Sequence, residues 1–505
     1  MHRDLDQLED RRFDLLVIGG GIHGAAVAWD AVLRGLSVAL VEQNDFCSGT
    51  TGNSLRVVHG GLRALQNGDL AGLRRSAREQ AILLHIAQGH LRPLPCLIPI
   101  IRGMNPGASA FQTAFSVMRL ATADLDRGSR RSLPRARVLS RNETIQRFDG
   151  FEPKSLTGGA LWFDAQVPDM ERLVLAFLRS AASRGAAIAN YVRVERLVGD
   201  SVRVQGAEAL DMQTGRYLRI NAGAVVNAAG PWDAHIPAHR SRNTPSSLPT
   251  RWARGVNVIV NQQIPDLAIG VRSPWGAERD PVSGGNRFLF LTQWHGNTLA
   301  GTSYTPLSDR RPDLPLSAQL ARLIDELNDA CPSLRWSSHD IVNWHSGKLP
   351  LRAGFQSGPP GQLIDRGTVV NHAVNGHRGL ISIVGAKFTT ARLLAERAVD
   401  LAIREMGRRN QPCLTAQTPL DPEPERPQDL VSRVRWAIEN EMALSLEDIA
   451  TRRLGIGLAR FPRPDEVRRM AEAAGPFLGW NPARMEREIG QVLSRFAFPA
   501  KTQAA

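Results

Sequence analysis

The chain has 505 residues, of which 43% are hydrophobic, so it can bury a large core and form two or three domains. Its four cysteines lack metal-ligand spacing and no run of about 18 apolar residues occurs, which argues against a disulfide scaffold, a zinc site and a membrane-spanning helix. The net charge of +13 comes mainly from scattered arginines, and the densest basic run, 127–137, lacks interleaved aromatic residues. Of three interpretations of this charge, a solvated basic surface is favoured most, attraction to an anionic membrane comes second, and nucleic-acid binding is favoured least.

The first elements predict a nucleotide-binding unit. Residues 13–18 form an apolar run short enough for a buried strand, and 19–24 place glycines at the first, third and sixth positions of a G-x-G-x-x-G. Small and apolar residues over 25–33 predict a helix, and 37–41 predict a second strand. Strand, glycine loop, helix and strand in this order are far more specific than the glycine pattern alone.

Each residue type in this unit suits a dinucleotide. Gly19 would allow the tight turn, Gly21 would let a pyrophosphate approach the backbone, and Gly24 would let helix and strand pack closely. The helix N-terminus offers N–H groups and partial positive charge to the phosphates. Glu42, at the end of the second strand, would accept the hydroxyl protons of an adenosine ribose.

Further along the chain, strands and helices are predicted in separated segments. A strand at 160–163 precedes a helix over 170–183 with Asp169 as N-cap, and later strands at 224–230 and 379–385 end in glycine turns, the second followed by a helix over about 389–403. A second sheet is predicted from strands at 257–260, 288–292 and 298–300.

The C-terminal part predicts a small helical domain. Four prolines among acidic residues mark 415–428 as a linker, and beyond it apolar residues recur at helical spacing. Ser445 and Asp448 form a capping box, and Asn481 precedes another helix. We therefore expect a nucleotide-binding domain assembled from about 11–79, 151–235 and 351–414, an inserted substrate domain from about 80–150 and 236–350, and a helical domain over 429–505.

Several motifs in chain order carry a family resemblance. They are a hydroxyl-rich stretch at 47–54, Leu-Arg-Val-Val-His-Gly-Gly-Leu-Arg at 55–63, and further segments at 158–164, 227–232, 385–390 and 439–453. Together with the glycine loop they resemble the FAD-dependent glycerol-3-phosphate dehydrogenase family, within the wider group of flavin oxidases of amines and alcohols. The resemblance implies an α/β (α+β) fold with a Rossmann-like FAD-binding domain, an inserted antiparallel substrate-binding sheet and a C-terminal α-helical domain.

The resemblance also implies the site residues. Non-covalent FAD would contact Gly19, Gly21, Gly24, Glu42, Thr50, Thr51, Ser54, Gly60, Gly61, Gly230, Gly385, Thr389 and Thr390. Lys387 resembles the family's active-site lysine, which would stabilise the reduced flavin, with a structural ion pair as the alternative. Arg63 resembles the arginine that binds the substrate anion, with an ordinary surface arginine as the alternative. His59 would either orient the pocket or take the hydroxyl proton.

The chain departs from the family pattern at three positions expected to touch substrate. Ala64 stands where the family has tyrosine, Asn257 where it has histidine, and Leu349 where it has a second phosphate arginine, although Lys348 or Arg352 could compensate. Three functions therefore stay open: oxidation of sn-glycerol 3-phosphate to dihydroxyacetone phosphate, oxidation of another small anionic alcohol, hydroxy acid or amine, and a flavoprotein that binds RNA.

Partners and location follow from the same resemblance. We expect a small anionic substrate and a quinone or other electron acceptor, with a homodimer as one open assembly. The charged residues 1–6 argue against a secretory signal, so a cytoplasmic location is expected, with the inner face of the cytoplasmic membrane as the alternative.

Overall fold

The computed structural model of the chain contains two compact units, each assembled from separated stretches. Unit 1 comprises Met1–Gly52, Asp169–Trp252 and Ile364–Ala497, and unit 2 comprises Asn53–Pro168, Ala253–Leu363 and Phe498–Ala505. The structure describes residues 1–9, 11–65, 68–104, 106–125, 133–150, 154–235, 251–285, 287–307, 313–352, 361–364, 366–385 and 387–497. Most of the basic run that the sequence singles out lies outside the described residues.

An eight-stranded sheet forms the centre of unit 1. Its strands are Arg12–Ile18, Val38–Val41, Ala187–Ala189, Val192–Gly199, Val204–Asp211, Tyr217–Asn227, Thr368–Asn371 and Leu380–Val384. The first strand is central, with Val38–Val41 on one side and Tyr217–Asn227 on the other, and all three are parallel. Where these strands are covered on both faces, at 15–18, 38–41 and 224–226, they are continuous apolar runs, whereas the first half of Tyr217–Asn227 alternates buried and exposed residues.

Helices cover this sheet and extend beyond it. They are Asp6–Glu9, Ile22–Leu33, Met170–Ala182, Ala391–Glu405, Leu430–Glu441, Pro464–Leu478 and Pro482–Arg495, with a π-helix at Asp448–Arg453 and 3₁₀ turns at Gly230–His235, His372–Asn375 and Phe388–Thr390. The helices after residue 429 share an apolar core of their own. The capping box of Ser445 and Asp448 and the N-cap at Asn481 form as the sequence predicts.

Unit 2 contains a nine-stranded, mainly antiparallel sheet. Its strands are Val57–Val58, Arg92–Ile101, Arg137–Ser140, Leu156–Gln166, Trp252–Val260, Ala268–Arg272, Phe288–Trp294, Asn297–Pro306 and Ile341–Pro350. One pairing, between Ala268–Arg272 and Arg92–Ile101, is parallel. The helices are Leu62–Leu65, Leu70–Ile86, Ala108–Thr122, Arg141–Arg147 and Leu316–Ala330, with a 3₁₀ turn at Ser338–Asp340.

The predicted fold class is confirmed: a Rossmann-like parallel sheet, a second antiparallel sheet and C-terminal helices are all present. The C-terminal helices belong to unit 1, and unit 2 begins at Asn53. The sequence instead predicts a separate helical domain and a boundary near residue 79. Among the described helices, none has the length and apolar character needed to cross a membrane. The described residues also contain no group of three or more His, Cys, Asp or Glu placed to hold a metal ion.

Candidate functional site

The glycine loop, residues 19–24, lies where the strand order of unit 1 reverses, which is where nucleotides bind in sheets of this type. Gly19 has φ +110°, and a Cβ there would lie 2.6 Å from the Ala228 carbonyl oxygen on the neighbouring chain segment. A Cβ on Gly24 would lie 1.9 Å from the Gly19 carbonyl oxygen. Both glycines are therefore required by close backbone contacts, one at the turn and one at the helix–strand contact.

Gly21 has a different environment. It is the N-cap of Ile22–Leu33, and a Cβ there would meet only the Thr51 side chain, at 3.0 Å from Oγ1. The same Thr51 hydroxyl accepts a hydrogen bond from the Ile22 N–H at 3.3 Å. The space over Gly21 is thus bordered by a helix N-terminus and a hydroxyl, which suits a pyrophosphate.

Glu42 binds the backbone of the glycine loop at Gly20. One carboxylate oxygen accepts the Gly20 N–H at 2.7 Å, and the other accepts the Asn44 N–H at 2.9 Å. Burial raises the pKa of the Glu42 carboxyl, while these N–H donors oppose the rise. Each carboxylate oxygen keeps a second lone pair, so Glu42 can still accept ribose hydroxyls.

His23 is a cofactor-site candidate that the sequence analysis missed. Its Nε2 is buried without a hydrogen-bond partner among the described residues, and a Cβ on Gly385 would lie 2.4 Å from this atom. Burial lowers the pKa of His23 to about 4, so the ring is neutral at neutral pH. A neutral imidazole beside two predicted cofactor glycines can hydrogen bond to a bound dinucleotide, and these features together fit FAD.

The predicted site residues divide between the units. Unit 1 contains Gly19, Gly21, Gly24, Glu42, Thr50, Thr51, Gly230, Gly385, Lys387, Thr389 and Thr390, and unit 2 contains Ser54, His59, Gly60, Gly61, Arg63, Asn257 and Lys348. Lys387 is exposed and directly precedes the 3₁₀ turn Phe388–Thr390, where Thr389 is buried. Gly230 has φ +62°, and a Cβ there would meet no atom within 4 Å.

In unit 2, His59 is paired with a buried carboxylate. Its Nδ1 lies 3.0 Å from Asp164 Oδ2, and the Asp164 side chain is 5% exposed. The other oxygen of Asp164 accepts the Gly60 N–H at 2.7 Å and lies 3.3 Å from Gln80 Nε2. Asp164 therefore fixes His59 with its proton on Nδ1, which makes Nε2 the basic nitrogen. A lone acid within the apolar strand Leu156–Gln166 was the available sequence signal, and it was missed.

Two glycines and Arg63 follow His59. A Cβ on Gly60 would lie 2.9 Å from Gln80 Oε1, and Gly61 has φ +95° and packs on the backbone of Leu73. The chain then enters the short helix Leu62–Leu65, where Arg63 is exposed. No ion pair or hydrogen bond links the Arg63 guanidinium to another described residue. An exposed arginine without a carboxylate partner is suited to binding an anion.

The altered positions Asn257 and Leu349 both lie beside Thr302. Asn257 is buried, and its Oδ1 accepts a hydrogen bond from Thr302 Oγ1 at 2.6 Å. A Cβ on Gly255 would lie 2.9 Å from Leu349 Cδ1 and 3.3 Å from Thr302 Cγ2. Lys348 is exposed and precedes Leu349 on the strand Ile341–Pro350, so the two side chains point to opposite faces.

Comparison with known proteins identifies the group to which these features belong. Residues 14–400 match the family described as FAD dependent oxidoreductase. The chain is 32% identical to the glycerol-3-phosphate dehydrogenase of Synechocystis over 83% of this chain and 75% of that protein. It is 31% identical to glycerol-3-phosphate dehydrogenase 1 of Mycobacterium tuberculosis over 94% of this chain and 96% of that protein.

A solved structure supports the same fold. The glycerol-3-phosphate dehydrogenase of Bacillus halodurans, complexed with FAD, superposes with a TM-score of 0.71 at 21% identity and covers 99% of this chain and 98% of that chain. The predicted cofactor, FAD, and the predicted enzyme class, an oxidoreductase, are confirmed by the family match and the structural match together. The chain therefore belongs to the FAD-dependent oxidoreductase family, in the group that contains the FAD-dependent glycerol-3-phosphate dehydrogenases.

Proposed function

We propose that the enzyme oxidises sn-glycerol 3-phosphate to dihydroxyacetone phosphate and passes the electrons to a quinone-type acceptor. Removing two electrons from a secondary alcohol requires a hydride acceptor and a proton acceptor. FAD, when bound, supplies the hydride acceptor at its N5 atom. The chain must supply the proton acceptor, hold the phosphate and place the substrate carbon about 3–3.5 Å from the hydride acceptor.

The hydrogen bond between His59 and Asp164 carries this proposal. A carboxylate on Nδ1 holds the imidazole in one tautomer and stabilises the imidazolium that forms when Nε2 takes a proton. The Phe290 ring also lies beside the imidazole, with 6.4 Å between the two ring centroids. A base oriented in this way suits removal of the substrate's hydroxyl proton, and the same carboxylate fixes the next residue, Gly60, by accepting its N–H.

Two cations complete the proposed chemistry. Arg63, four residues after His59, would hold the substrate phosphate in bidentate contact. Lys387 would place a compact positive charge where negative charge develops as the flavin is reduced. The chain has only four lysines among 62 Lys and Arg residues, so a lysine at this position is consistent with a specific electrostatic task.

The direct test is anaerobic mixing of the purified holoenzyme with sn-glycerol 3-phosphate while the flavin absorbance is recorded. We expect rapid bleaching with this substrate and none with the sn-1 enantiomer or with glycerol. Absence of bleaching at saturating sn-glycerol 3-phosphate would refute the proposed substrate. Reoxidation of the bleached enzyme by a soluble quinone, compared with oxygen, tests the acceptor.

A second candidate is oxidation of a different small anion by the same machinery. Leu349 and the buried Asn257 bring no positive charge to the region around Thr302, and Lys348 lies on the opposite strand face from Leu349. Arg287, which donates to the Thr302 carbonyl at 2.8 Å, is already paired with Glu326 at 2.6 Å. A carboxylate needs fewer donors than a phosphate, so Arg63 alone could hold it. The same bleaching assay with a panel of hydroxy acids and amino acids distinguishes the candidates.

A further inference from the structure

The segment 42–47 forms one wall of the glycine loop. Glu42 accepts the Gly20 N–H at 2.7 Å, and the Cys47 N–H donates to the Gly20 carbonyl at 3.1 Å. Phe46 packs so closely that a Cβ on Gly20 would lie 2.6 Å from its Cδ1. The conformation of 42–47 therefore determines where Glu42 and the glycine loop stand relative to each other.

Asp45, in the middle of this segment, is buried and held by two arginines. Arg453 makes a bidentate contact, with Nη1 at 2.8 Å from Oδ2 and Nη2 at 2.7 Å from Oδ1. Arg452 Nε lies 2.5 Å from Oδ2, and Asn190 Nδ2 lies 3.1 Å from Oδ1. Burial alone would raise the pKa of the Asp45 carboxyl, but Arg453 and Arg452 lower it to about 2, so it is charged at neutral pH.

Both arginines come from the π-helix Asp448–Arg453, and Arg453 lies 408 residues after Asp45 in the chain. Their orientation is fixed within the C-terminal part: Arg453 donates to the Glu441 carbonyl at 2.8 Å, and Arg452 Nη2 lies 2.6 Å from Asp448 Oδ1. π-Helical turns are rare and occur frequently at functional sites. A fully buried carboxylate without these partners would be strongly unfavourable, so the segment and the π-helix are ordered together.

We propose that Arg452 and Arg453 are positioning residues for the cofactor: by holding Asp45, they keep residues 42–47 against the glycine loop in the conformation that binds the adenosine half of FAD. The C-terminal helices thus take part in cofactor binding without contributing a cofactor contact. This inference depends on FAD as cofactor and not on the identity of the substrate. If the contacts between Asp45 and the two arginines are weakened, only a fraction of the molecules holds residues 42–47 in the binding conformation. The apparent dissociation constant of FAD then rises by the inverse of that fraction.

The test is titration of the apoprotein with FAD and, by competition, with ADP. Arg453→Lys keeps the charge but loses the bidentate contact, and Asp45→Asn keeps the volume but loses the charge. We expect each to raise the dissociation constants of FAD and ADP by about tenfold, which corresponds to about 1.4 kcal/mol, and to leave the reduction potential of the bound flavin unchanged at saturating FAD. Hydrogen exchange in the apoprotein should be faster at 42–47.

Arg172→Lys is the matched control. Arg172 is also buried and also binds the C-terminal part, at 2.7 Å from Glu441 and 2.6 Å from Glu423, but no hydrogen bond or ion pair joins its guanidinium to a described residue of 42–47. It should lower the thermal midpoint as Arg453→Lys does and leave FAD and ADP affinity near wild type. Equal loss of affinity in Arg172→Lys, or unchanged affinity in folded Arg453→Lys and Asp45→Asn, would overturn the proposal. If these two fail to fold, Arg452→Lys, which leaves the bidentate pair intact, is measured with the same outcomes.

Discussion

The two regions of the molecule constrain their residues by different kinds of contact. In unit 1, Gly19 and Gly24 are fixed by backbone carbonyl oxygens, which cannot move without disrupting the sheet. In unit 2, Asn257 and Leu349 contact the side chain of Thr302 or lie beside it. Side chains can adjust to a substitution, whereas a backbone in a sheet cannot. Cofactor geometry should therefore tolerate no change at Gly19 and Gly24, while Asn257 and Leu349, which the sequence predicts to contact substrate, are open to change.

The largest expected effect is at Gly24. Its Cβ would lie 1.9 Å from a backbone oxygen, so Gly24→Ala should prevent native packing. Gly21→Val should instead fold but fail to bind FAD, because only the Thr51 side chain and the open space over the loop are affected. Circular dichroism and flavin absorbance separate the two outcomes. Gly490→Ala, in a helix with nothing within 4 Å of the added atom, should remain folded and yellow.

The next largest effect is expected at Asp164. Asp164→Asn can keep the Gly60 contact but offers an N–H to His59 Nδ1, which moves the proton to Nε2 and removes the base. Flavin reduction should slow by about 10²- to 10⁴-fold. Because the two residues act as one unit, His59→Gln should cost a similar factor and the double variant little more. Fully additive losses in stopped-flow rates would contradict a coupled pair.

Arg63 should affect binding more than rate. Losing a charge-assisted contact costs about 1.5–3 kcal/mol, so Arg63→Ala should raise KM for an anionic substrate roughly 10- to 100-fold. Arg63→Lys should recover part of this loss, since it keeps charge but not the bidentate geometry. Arg102→Ala, another exposed arginine of unit 2, is the control and should leave KM unchanged. A normal KM in Arg63→Ala would place the anion site elsewhere.

The buried His23 of unit 1 should make the stability of the apoprotein depend on pH. Burial lowers its pKa, and that of His372, to about 4, so the unfolded chain binds more protons than the folded one below about pH 6.5. The free energy of unfolding is therefore not reduced by these histidines above that pH. It falls as pH is lowered toward 4, by about 2 kcal/mol per histidine between about pH 7 and pH 5. The thermal midpoint of the apoprotein should fall accordingly, and less steeply in His23→Asn. Identical slopes in both proteins would show that His23 does not titrate in this way.

Leu349 gives the smallest and most discriminating effect. If the missing arginine limits phosphate binding, Leu349→Arg should lower KM for sn-glycerol 3-phosphate by about tenfold, the effect of one charge-assisted contact. If the wild type already binds this substrate tightly, the variant should gain nothing. Leu349→Met, similar in volume and uncharged, separates an effect of charge from one of packing.

The sequence predicts the local parts of this molecule and not the distant pairings. The glycine loop and its flanking strands follow from residues close together in the chain, so their positions were predictable. Asp164 was visible in the sequence, but its contact with His59, 105 residues away, depends on strand register. The salt bridges of Asp45 with Arg452 and Arg453 join residues more than 400 positions apart, and no spacing rule reaches that far.

The order in which the chain is synthesised gives these distant pairings a further consequence. Unit 1 contains residues from Met1–Gly52, from Asp169–Trp252 and from Ile364–Ala497, so its sheet lacks the strand Leu380–Val384 until residue 384 has been made. The salt bridge between Asp45 and Arg453 forms later still, after residue 453 has been made. An emerging chain must therefore keep an incomplete sheet and an unpaired acid in contact with water or a chaperone until residues 380–384 and 453 have been made. Newly made protein should acquire FAD only after residue 453 has left the ribosome, and chains that stall before this residue should be degraded or aggregate without ever becoming yellow.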